Sequence, residues 1–295
     1  GDDVKKTILG ELNEQLNVKL EVEKIRFSLL ENFPNGSVQF TGVRSKETLS
    51  KGKNQLIDAG EISLMFNIMN LVTGNYIIDK IEIDRAYLNL EVFEDGATNF
   101  NVLAGSGQGG NTDVMIGLEN VILKQVEIAY FNHPSQQEYL LTVRKGRLKG
   151  SFTGNSNNLH FTGNLHTKQI RSGNTVFLKD RDLGLELSMN SMDRFTKIVI
   201  NRGTANLQGL QVDIAGIIHT AGDNKHVDLK INSGSTRLST LFALIPANFL
   251  KPVQPYDMEG KINLSAAISG PYSGNRLPDI KVDCDVEEGL IHIPG

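Results

Sequence analysis

Apolar and polar residues alternate with a period of two along most of this chain, a pattern that predicts half-buried β-strands. The alternation begins at Val18 and continues through segments separated by turn residues. The clearest later segments are 57–66, 148–154, 159–165, 198–207, 210–218, 227–231, 262–268 and 280–286. Because these segments recur with weak internal similarity, we expect a repetitive β-meander.

The alternation changes phase inside the stretch 76–103. Ile81 and Ile83 point one way, and Leu88 and Leu90 continue the apolar series after a one-residue slip at Asp84-Arg85. A slip inside an alternating run predicts a β-bulge. A turn at Glu94-Asp95-Gly96 then ends the strand. A second long apolar series contains Val126 and Ile128 and slips at Lys124-Gln125.

Helical periodicity is confined to short parts of the chain. Val4, Ile8, Leu12 and Leu16 recur every four residues and predict an amphipathic N-terminal helix. Residues 68–72 predict one helical turn, and a helix over 235–245 has Ser235 as its cap and Pro246 after its end. The fold class is therefore mainly β: a long, curved antiparallel sheet, forming a meander or groove, with the N-terminal helix and one or two short helices.

A glycine-rich segment at 104–111 predicts a flexible linker. It lacks the Gly-Lys-Ser/Thr ending of a phosphate-binding loop, so the linker interpretation is favoured. The predicted organisation is an N-terminal module over 1–103, the linker, and a repetitive β module over 112–295 that contains the helix 235–245. Both ends suggest a fragment of a longer protein, truncated at its C-terminus.

Composition excludes several functional classes. The 295 residues carry a formal net charge of −4, which argues against a nucleic-acid partner. Cys284 is the single cysteine and rules out an intrachain disulfide. No run of 18 apolar residues forms a membrane-spanning helix.

The chemical motifs of enzymes and metal sites are weak. His160 and His166, the nearest histidine pair, would lie ~20 Å apart in an extended strand, too far to share a metal ion. Two acidic rows, Glu82 with Asp84 and Asp283 with Asp285 and Glu287, alternate with apolar residues and predict solvated sheet faces. Nothing indicates a catalytic residue or a cofactor, and we expect a protein that is not an enzyme.

A basic cluster lies on a predicted hairpin and comprises Arg144, Lys145, Arg147 and Lys149. These cations are candidates for contacts with anionic lipid headgroups. The alternative is that they protect a sheet edge from pairing with another chain, and this alternative is favoured.

Two motifs occur in a fixed order along the chain. The first is the strand 81–90 followed by Asp95-Gly96 and Asn99-Phe100 with Leu103. The second begins at Leu244-Ile245-Pro246 and continues through Asp257, Gly260 to Gly270 and Pro278-Asp279-Ile280. Together they resemble the AsmA-like family of bacterial bridge-type lipid transfer and outer-membrane assembly proteins. The two motifs cover about a third of the chain, and Ala86 stands where the family has a proline.

The resemblance implies a periplasmic protein anchored to the inner membrane by a segment before Val4. Its partners would be phospholipid or another membrane lipid, the inner membrane and other envelope proteins. Acyl chains would lie in an apolar β-groove, with Ile81, Ile83, Leu88, Leu90, Val126 and Ile128 as candidate lining residues.

Three alternatives stay open from the residues alone. The same aliphatic side chains could fill an ordinary sandwich core. The protein could also be a structural scaffold of the cell envelope that docks a partner through a sheet edge and has no lipid conduit. A carbohydrate-processing β protein is disfavoured, because the chain has no tryptophan and 6% aromatic residues.

Overall fold

The computed structural model describes residues 19–32, 34–46, 55–69, 78–99, 120–153, 156–192, 196–219, 225–244, 257–272 and 278–292. In this part of the chain 83% of the residues are in β-strands. The prediction of a mainly β protein, built on a long and largely antiparallel sheet with few helices, is confirmed. The predicted N-terminal helix, the predicted linker 104–111 and the last residues 293–295 lie outside the described residues.

The chain divides into two compact units. The first comprises Gly1–Pro134 and Glu138–Thr153, and the second comprises Ser135–Gln137 and Gly154–Gly295. The strands of the first unit are β1 (Leu20–Asn32), β2 (Asn35–Lys46), β3 (Gln55–Asn67), β4 (Lys80–Val92), β5 (Val121–Asn132) and β6 (Gln137–Thr153). Sequence reasoning placed β5 and β6 in the second module, so the two divisions differ.

One strand pair of the first unit corrects the prediction of an antiparallel sheet. Strands β1 to β4 form an antiparallel meander, whereas β5 pairs with β4 in parallel. A parallel neighbour requires a long connection, and the residues between Val92 and Val121 are numerous enough for one. Hydrophobic alternation is identical for both strand directions, so it could not have revealed this pairing. The parallel pairing also explains why β5 belongs to the first unit.

The two predicted phase slips are present, but they are not bulges with an extra residue. Arg85 in β4 and Gln125 in β5 both have left-handed backbone conformations, with φ of 53° and 50°. They lie opposite each other, and the pairing of β4 with β5 continues on both sides without a register shift. Gly42, with φ of 63°, falls on the same line in β2, two strands away. We call Gly42, Arg85 and Gln125 the left-handed row.

The second unit is an antiparallel sheet with one short helix. Its elements are β7 (Ser156–Ser172), β8 (Thr175–Met192), β9 (Lys197–Leu207), β10 (Leu210–His219), β11 (His226–Ser233), β12 (Thr236–Arg237), α1 (Leu238–Phe242), β13 (Asp257–Pro271) and β14 (Asp279–His292). Strands β7 to β11 form a meander, β13 follows β11, and β14 pairs with β13.

The helix of the second unit is shorter than predicted. It begins after Arg237, which is the N-cap residue and makes no side-chain cap hydrogen bond. Ser235 therefore does not cap it, because Thr236 and Arg237 pair with β13 as β12 and delay the helix. The predicted end at residue 245 lies outside the described residues. No helix in the described ranges has both the length and the apolar character needed to cross a bilayer.

Candidate functional site

Side chains of the second unit separate into an apolar and a polar face with almost no mixing. Directly paired residues of an antiparallel sheet point to the same side, so the strand register identifies each face. One apolar row crosses seven described strands, and each of its residues pairs directly with the next. The row is Phe161, Leu187, Gly203, Ile214, Ile231, Ala266 and Val282. Beside it runs a second row of Leu159, Met189, Ile200, Gly216, Leu229, Ile268 and Ile280. We call these two rows the apolar face.

The opposite side of the same strands is mostly polar, although Val199 and Ile217 pair with each other there. Its central row is Thr162, Glu186, Thr204, Asp213, Asn232, Ser265 and Asp283. Neighbours in this row bond to each other, as where the Thr204 hydroxyl donates to Asp213 Oδ1 at 3.0 Å and the Ser265 hydroxyl donates to Asn232 Oδ1 at 3.0 Å. The sheet is therefore water-compatible on one side only.

Most side chains of the apolar face are only partly buried. Leu159 is buried, whereas Phe161, Leu187, Ile214, Leu229 and Ile231 keep part of their surface exposed. All described strands of the unit belong to one sheet. Neighbouring strands lie about 4.8 Å apart, so the face is ~29 Å long across its seven strands.

The short helix α1 stays close to the sheet at both of its ends. Leu238 at its start is buried, next to the pairing of Arg237 with Lys261 in β13. After its end, the Ala243 carbonyl accepts a hydrogen bond of 3.1 Å from Arg181 Nη2 in β8. The helix has five residues, too few to cover a face of seven strands.

In the first unit, the six candidate groove residues share one side of β4 and β5. Ile81 and Ile83 pair with Val121 and Leu123, and beyond the left-handed row Leu88 pairs with Ile128. The left-handed row reverses the alternation of side-chain direction at the same point in β4 and β5. The apolar side chains before and after it therefore stay on the same side of the sheet. Five of the six candidates are partly exposed: Ile81, Ile83, Leu88, Leu90 and Ile128. Val126 is only 1% exposed and packs as a core residue, which a ligand could not reach in this conformation.

The polar side of β4 and β5 holds a charge network around Glu82. Its carboxylate accepts hydrogen bonds from Lys124 Nζ and lies 3.0 Å from Lys80 Nζ. The bond from Lys124 lowers the pKa of the Glu82 carboxyl group; partial burial opposes this, and Lys80 reinforces it. The same bond raises the pKa of Lys124. Glu82 is thereby neutralised by two lysines on this side of the sheet.

The motif residue Asn99 has a structural role. Its side chain is fully buried; its Oδ1 accepts from the Glu91 backbone N–H at 2.7 Å, and its Nδ2 donates to the Asn89 carbonyl at 2.9 Å. The side-chain amide thereby pairs with backbone groups of β4 as a neighbouring strand would. The tight turn before it is present as predicted: Gly96, with φ of 78°, donates its N–H to the Phe93 carbonyl at 2.8 Å.

The four basic candidates lie close together in one strand of the first unit. Arg144, Lys145, Arg147 and Lys149 lie within strand β6, and all four are exposed. They flank buried Val143 and Gly146, and because Arg144 and Lys145 are adjacent in the strand, these two side chains point to opposite sides of the sheet. Lys145, Arg147 and Lys149 form no ion pair with another described residue, whereas Arg144 has a partner.

The two histidines considered for a metal site bind separate partners. His160 Nδ1 lies 2.8 Å from the Ser188 hydroxyl, and His166 Nδ1 lies 2.8 Å from Asp182 Oδ1. Among the described residues, no group of three or more histidine, cysteine, aspartate or glutamate side chains is placed to hold a metal ion.

Sequence reasoning placed none of its candidate groove residues on the apolar face of the second unit. All of its candidate groove residues lie in β4 and β5, whereas the widest face is in the second unit. The alternation of Leu183, Leu185, Leu187 and Met189 in β8 was the available signal for this face. Neither a family model, nor a curated protein, nor a solved structure matches this chain.

Proposed function

We propose that this protein is a non-enzymatic, AsmA-like component of the bacterial cell envelope that holds or conducts phospholipid acyl chains on the apolar sides of its sheets. The observation that carries the proposal is the apolar face of the second unit. It combines an apolar surface across seven described strands with side chains that remain partly exposed. Large exposed apolar surfaces mark sites that bind a partner, a membrane or a ligand.

The dimensions of the face suit an acyl chain. The hydrocarbon core of a bilayer is about 30 Å thick, so one leaflet contributes about 15 Å. The apolar face, at ~29 Å, is longer than this leaflet thickness, so it can contact the whole length of a membrane lipid's apolar tail. Its residues are almost entirely aliphatic, glycine or alanine, and such a surface offers contacts without directional bonds.

The energetics suit movement as well as binding. Each buried methylene contributes roughly 0.8 kcal/mol relative to water. A tail that leaves a bilayer for the apolar face exchanges one apolar environment for another, so little of this free energy is gained or lost. Successive rows of the face are chemically alike, and a tail can shift from one to the next without breaking a hydrogen bond.

The cellular setting in the proposal comes from the family resemblance. It comprises a periplasmic location, an inner-membrane anchor outside this chain and a role in outer-membrane assembly. The exposed cations of β6 remain candidates for anionic headgroups. Because all four are exposed, we propose that they contact a headgroup at a membrane surface.

The decisive experiment is native mass spectrometry with lipid extraction, on protein purified from a bacterial host without detergent. The test variant is Ile214→Asp in the middle of the apolar face, and its matched control is Ala215→Asp, the next residue on the polar side of the same strand. In the first unit the corresponding pair is Leu88→Asp and Tyr87→Asp.

We expect co-purified phospholipid in the unaltered chain, a several-fold loss in Ile214→Asp and Leu88→Asp, and retention in both controls. Circular dichroism of each variant verifies that the sheets are still folded. Equal lipid content in test and control variants would contradict the proposal. A lipid-free protein that also fails to extract fluorescent phospholipid from vesicles would favour an envelope scaffold instead.

A further inference from the structure

Strand β8 carries an unbroken stripe of aliphatic side chains along the apolar face. Because side chains alternate along a strand, one side of β8 presents Leu183, Leu185, Leu187 and Met189. We call these four residues the β8 stripe, and each of them is partly exposed. From its first to its last residue the stripe spans about 20 Å in an extended strand, which exceeds the leaflet thickness of about 15 Å.

The neighbouring strand β9 has small residues beside the β8 stripe. Leu185 and Leu187 pair with Ala205 and Gly203, and both of these small residues are buried. A Cβ atom at Gly203 would lie 2.7 Å from Leu187 Cδ2, so the Leu187 side chain leans over this position. The leucines of β8 therefore rise above their β9 neighbours, and an acyl chain can lie along them.

The two ends of the β8 stripe differ in charge. Before Leu183, the next residue on the same side of the strand is Arg181. After Met189 it is Ser191, which is buried and pairs with Ile198 of β9. An arginine carries its charge at the tip of an aliphatic stem. Arg181 therefore prolongs the apolar surface and ends it with a cation.

The guanidinium group of Arg181 retains donors for a ligand. In the described part of the chain its side chain makes one hydrogen bond, from Nη2 to the Ala243 carbonyl at 3.1 Å, and no ion pair. It is partly exposed and has several further N–H donors. The adjacent Asp182 points to the other side of β8, where its Oδ1 lies 2.8 Å from His166 Nδ1. No carboxylate among the described residues therefore neutralises this cation.

We infer that Arg181 binds the phosphate group of a phospholipid whose acyl chain lies along the β8 stripe. The inference rests on the proposed function, because it gives a lipid on the apolar face a position and a direction. A guanidinium group binds phosphate through paired, charge-assisted hydrogen bonds, which are stronger than bonds between neutral groups. The phosphate lies near the end of α1, and the tail runs from there toward Met189.

The competing explanation is that Arg181 only holds the chain after α1 through its bond to Ala243. Two probes separate these explanations: palmitoyl lysophosphatidic acid and monopalmitoylglycerol share a tail, an ester and a glycerol, but only the first has a phosphate. Isothermal titration calorimetry below the critical micelle concentration gives each Kd for the full chain, Arg181→Gln and Arg181→Lys. The matched control is Arg202→Gln, which removes an exposed cation paired with Ser188 on the polar side.

We expect Arg181→Gln to weaken binding of the lysophosphatidic acid roughly tenfold or more and to change binding of monopalmitoylglycerol by less than about twofold. Arg181→Lys loses less, because lysine keeps the charge but lacks the paired donors. Arg202→Gln changes neither Kd. In the unaltered chain, a lysophosphatidic acid with a diazirine at the end of its tail labels the apolar face around Met189. This measurement does not depend on whether a variant folds.

Four results would overturn the inference and leave the proposed function standing. Equal losses for both probes in Arg181→Gln would assign Arg181 a purely structural role, and no loss for either would place the phosphate elsewhere. Labelling around Leu183 would show that the tail runs in the opposite direction. Palmitate that binds more tightly than the lysophosphatidic acid, and depends on Arg181, would identify a fatty acid as the occupant. If neither probe bound the unaltered chain, the proposed function would fail together with the inference.

Discussion

Replacing Asn99 by alanine tests whether its buried side chain holds the segment after β4 in place. The change removes the partner of the Glu91 N–H and the partner of the Asn89 carbonyl, at distances of 2.7 and 2.9 Å. A buried backbone group without a partner costs about 1–3 kcal/mol. With both groups affected and some relaxation, we expect a loss of about 2–4 kcal/mol in the free energy that keeps this region closed.

Hydrogen exchange at the Glu91 amide is the direct assay, because local opening controls its rate. A loss of about 2–4 kcal/mol corresponds to exchange roughly 30 to 1000 times faster at this amide. Asn99→Asp is the informative companion. It keeps the acceptor for Glu91 but sets an oxygen against the Asn89 carbonyl, so it should lose at least as much protection as expected from one missing bond.

The control is Asn201→Ala, which removes an exposed amide bonded to Asn190 Oδ1 at 2.9 Å. Exposed substitutions of this kind usually change stability by no more than about 0.5 kcal/mol. If Asn99→Ala left exchange at Glu91 within a factor of about two of the unaltered chain, water would be replacing the side chain. The assignment of a structural role to Asn99 would then be wrong.

Three further changes test other parts of the structure. Glu82→Gln should lower the free energy of unfolding by less than about 1 kcal/mol, since the pairs of Glu82 with Lys124 and Lys80 are only partly buried. Folding lowers the pKa of Glu82, so this loss of stability is present at neutral pH and vanishes as the pH falls below about 4.3 and through the folded pKa. Urea unfolding at several pH values measures the difference. Gly216 has φ of 146°, and Gly216→Ala places a Cβ 2.0 Å from the Asp228 carbonyl oxygen. We expect the free energy of unfolding, measured by heat or urea, to fall by more than about 2 kcal/mol. Gly234→Ala, whose Cβ has no atom within 4 Å, should lower it by less than about 1 kcal/mol. Gln125→Val places a β-branched residue at φ of 50° and should lower the free energy of unfolding by about 1–2 kcal/mol in the same measurement. Gln125→Asn should leave it unchanged, because asparagine tolerates this conformation. Equal effects of the two changes would show that the left-handed backbone adapts.

Local periodicity was sufficient to predict the strands but not their partners. The slips at Asp84-Arg85 and Lys124-Gln125 fall at the two left-handed residues, because a change of phase in the apolar pattern records a change in backbone direction. Their alignment was not predictable from one strand, since it depends on which strands are neighbours. For the same reason the parallel pairing of β4 with β5 was missed.

The helix and the motif residues show a second limit. Ser235 satisfied every local rule for a cap, but pairing of Thr236 with Ile262 in β13 extends the strand and moves the helix start. Tertiary pairing outweighs a capping preference worth about 1 kcal/mol. Asn99 was identified only through the resemblance; its buried bonds to Glu91 and Asn89 could not be inferred from spacing.

The sequence predicted that the candidate site is an apolar sheet surface, but it predicted only some of the residues that form this surface. The aliphatic candidates of β4 and β5 share one side, as expected, but Val126 belongs to the core. The cations of β6 were candidates for lipid headgroups, with protection of a sheet edge as the favoured interpretation; all four are exposed, and adjacent Arg144 and Lys145 point to opposite sides. Which side of a strand a residue occupies depends on the phase of every slip before it, and no slip was identified in β6.

The left-handed row also constrains how this protein can change over generations. A one-residue insertion in a single strand on one side of the row would turn that strand's aliphatic side chains toward water while its neighbours kept theirs inward. Such an insertion survives only if the adjacent strands acquire the same shift, so lengths within these strands should be inherited as a set. Length variation should instead accumulate in the connections between strands, where no neighbour has to follow.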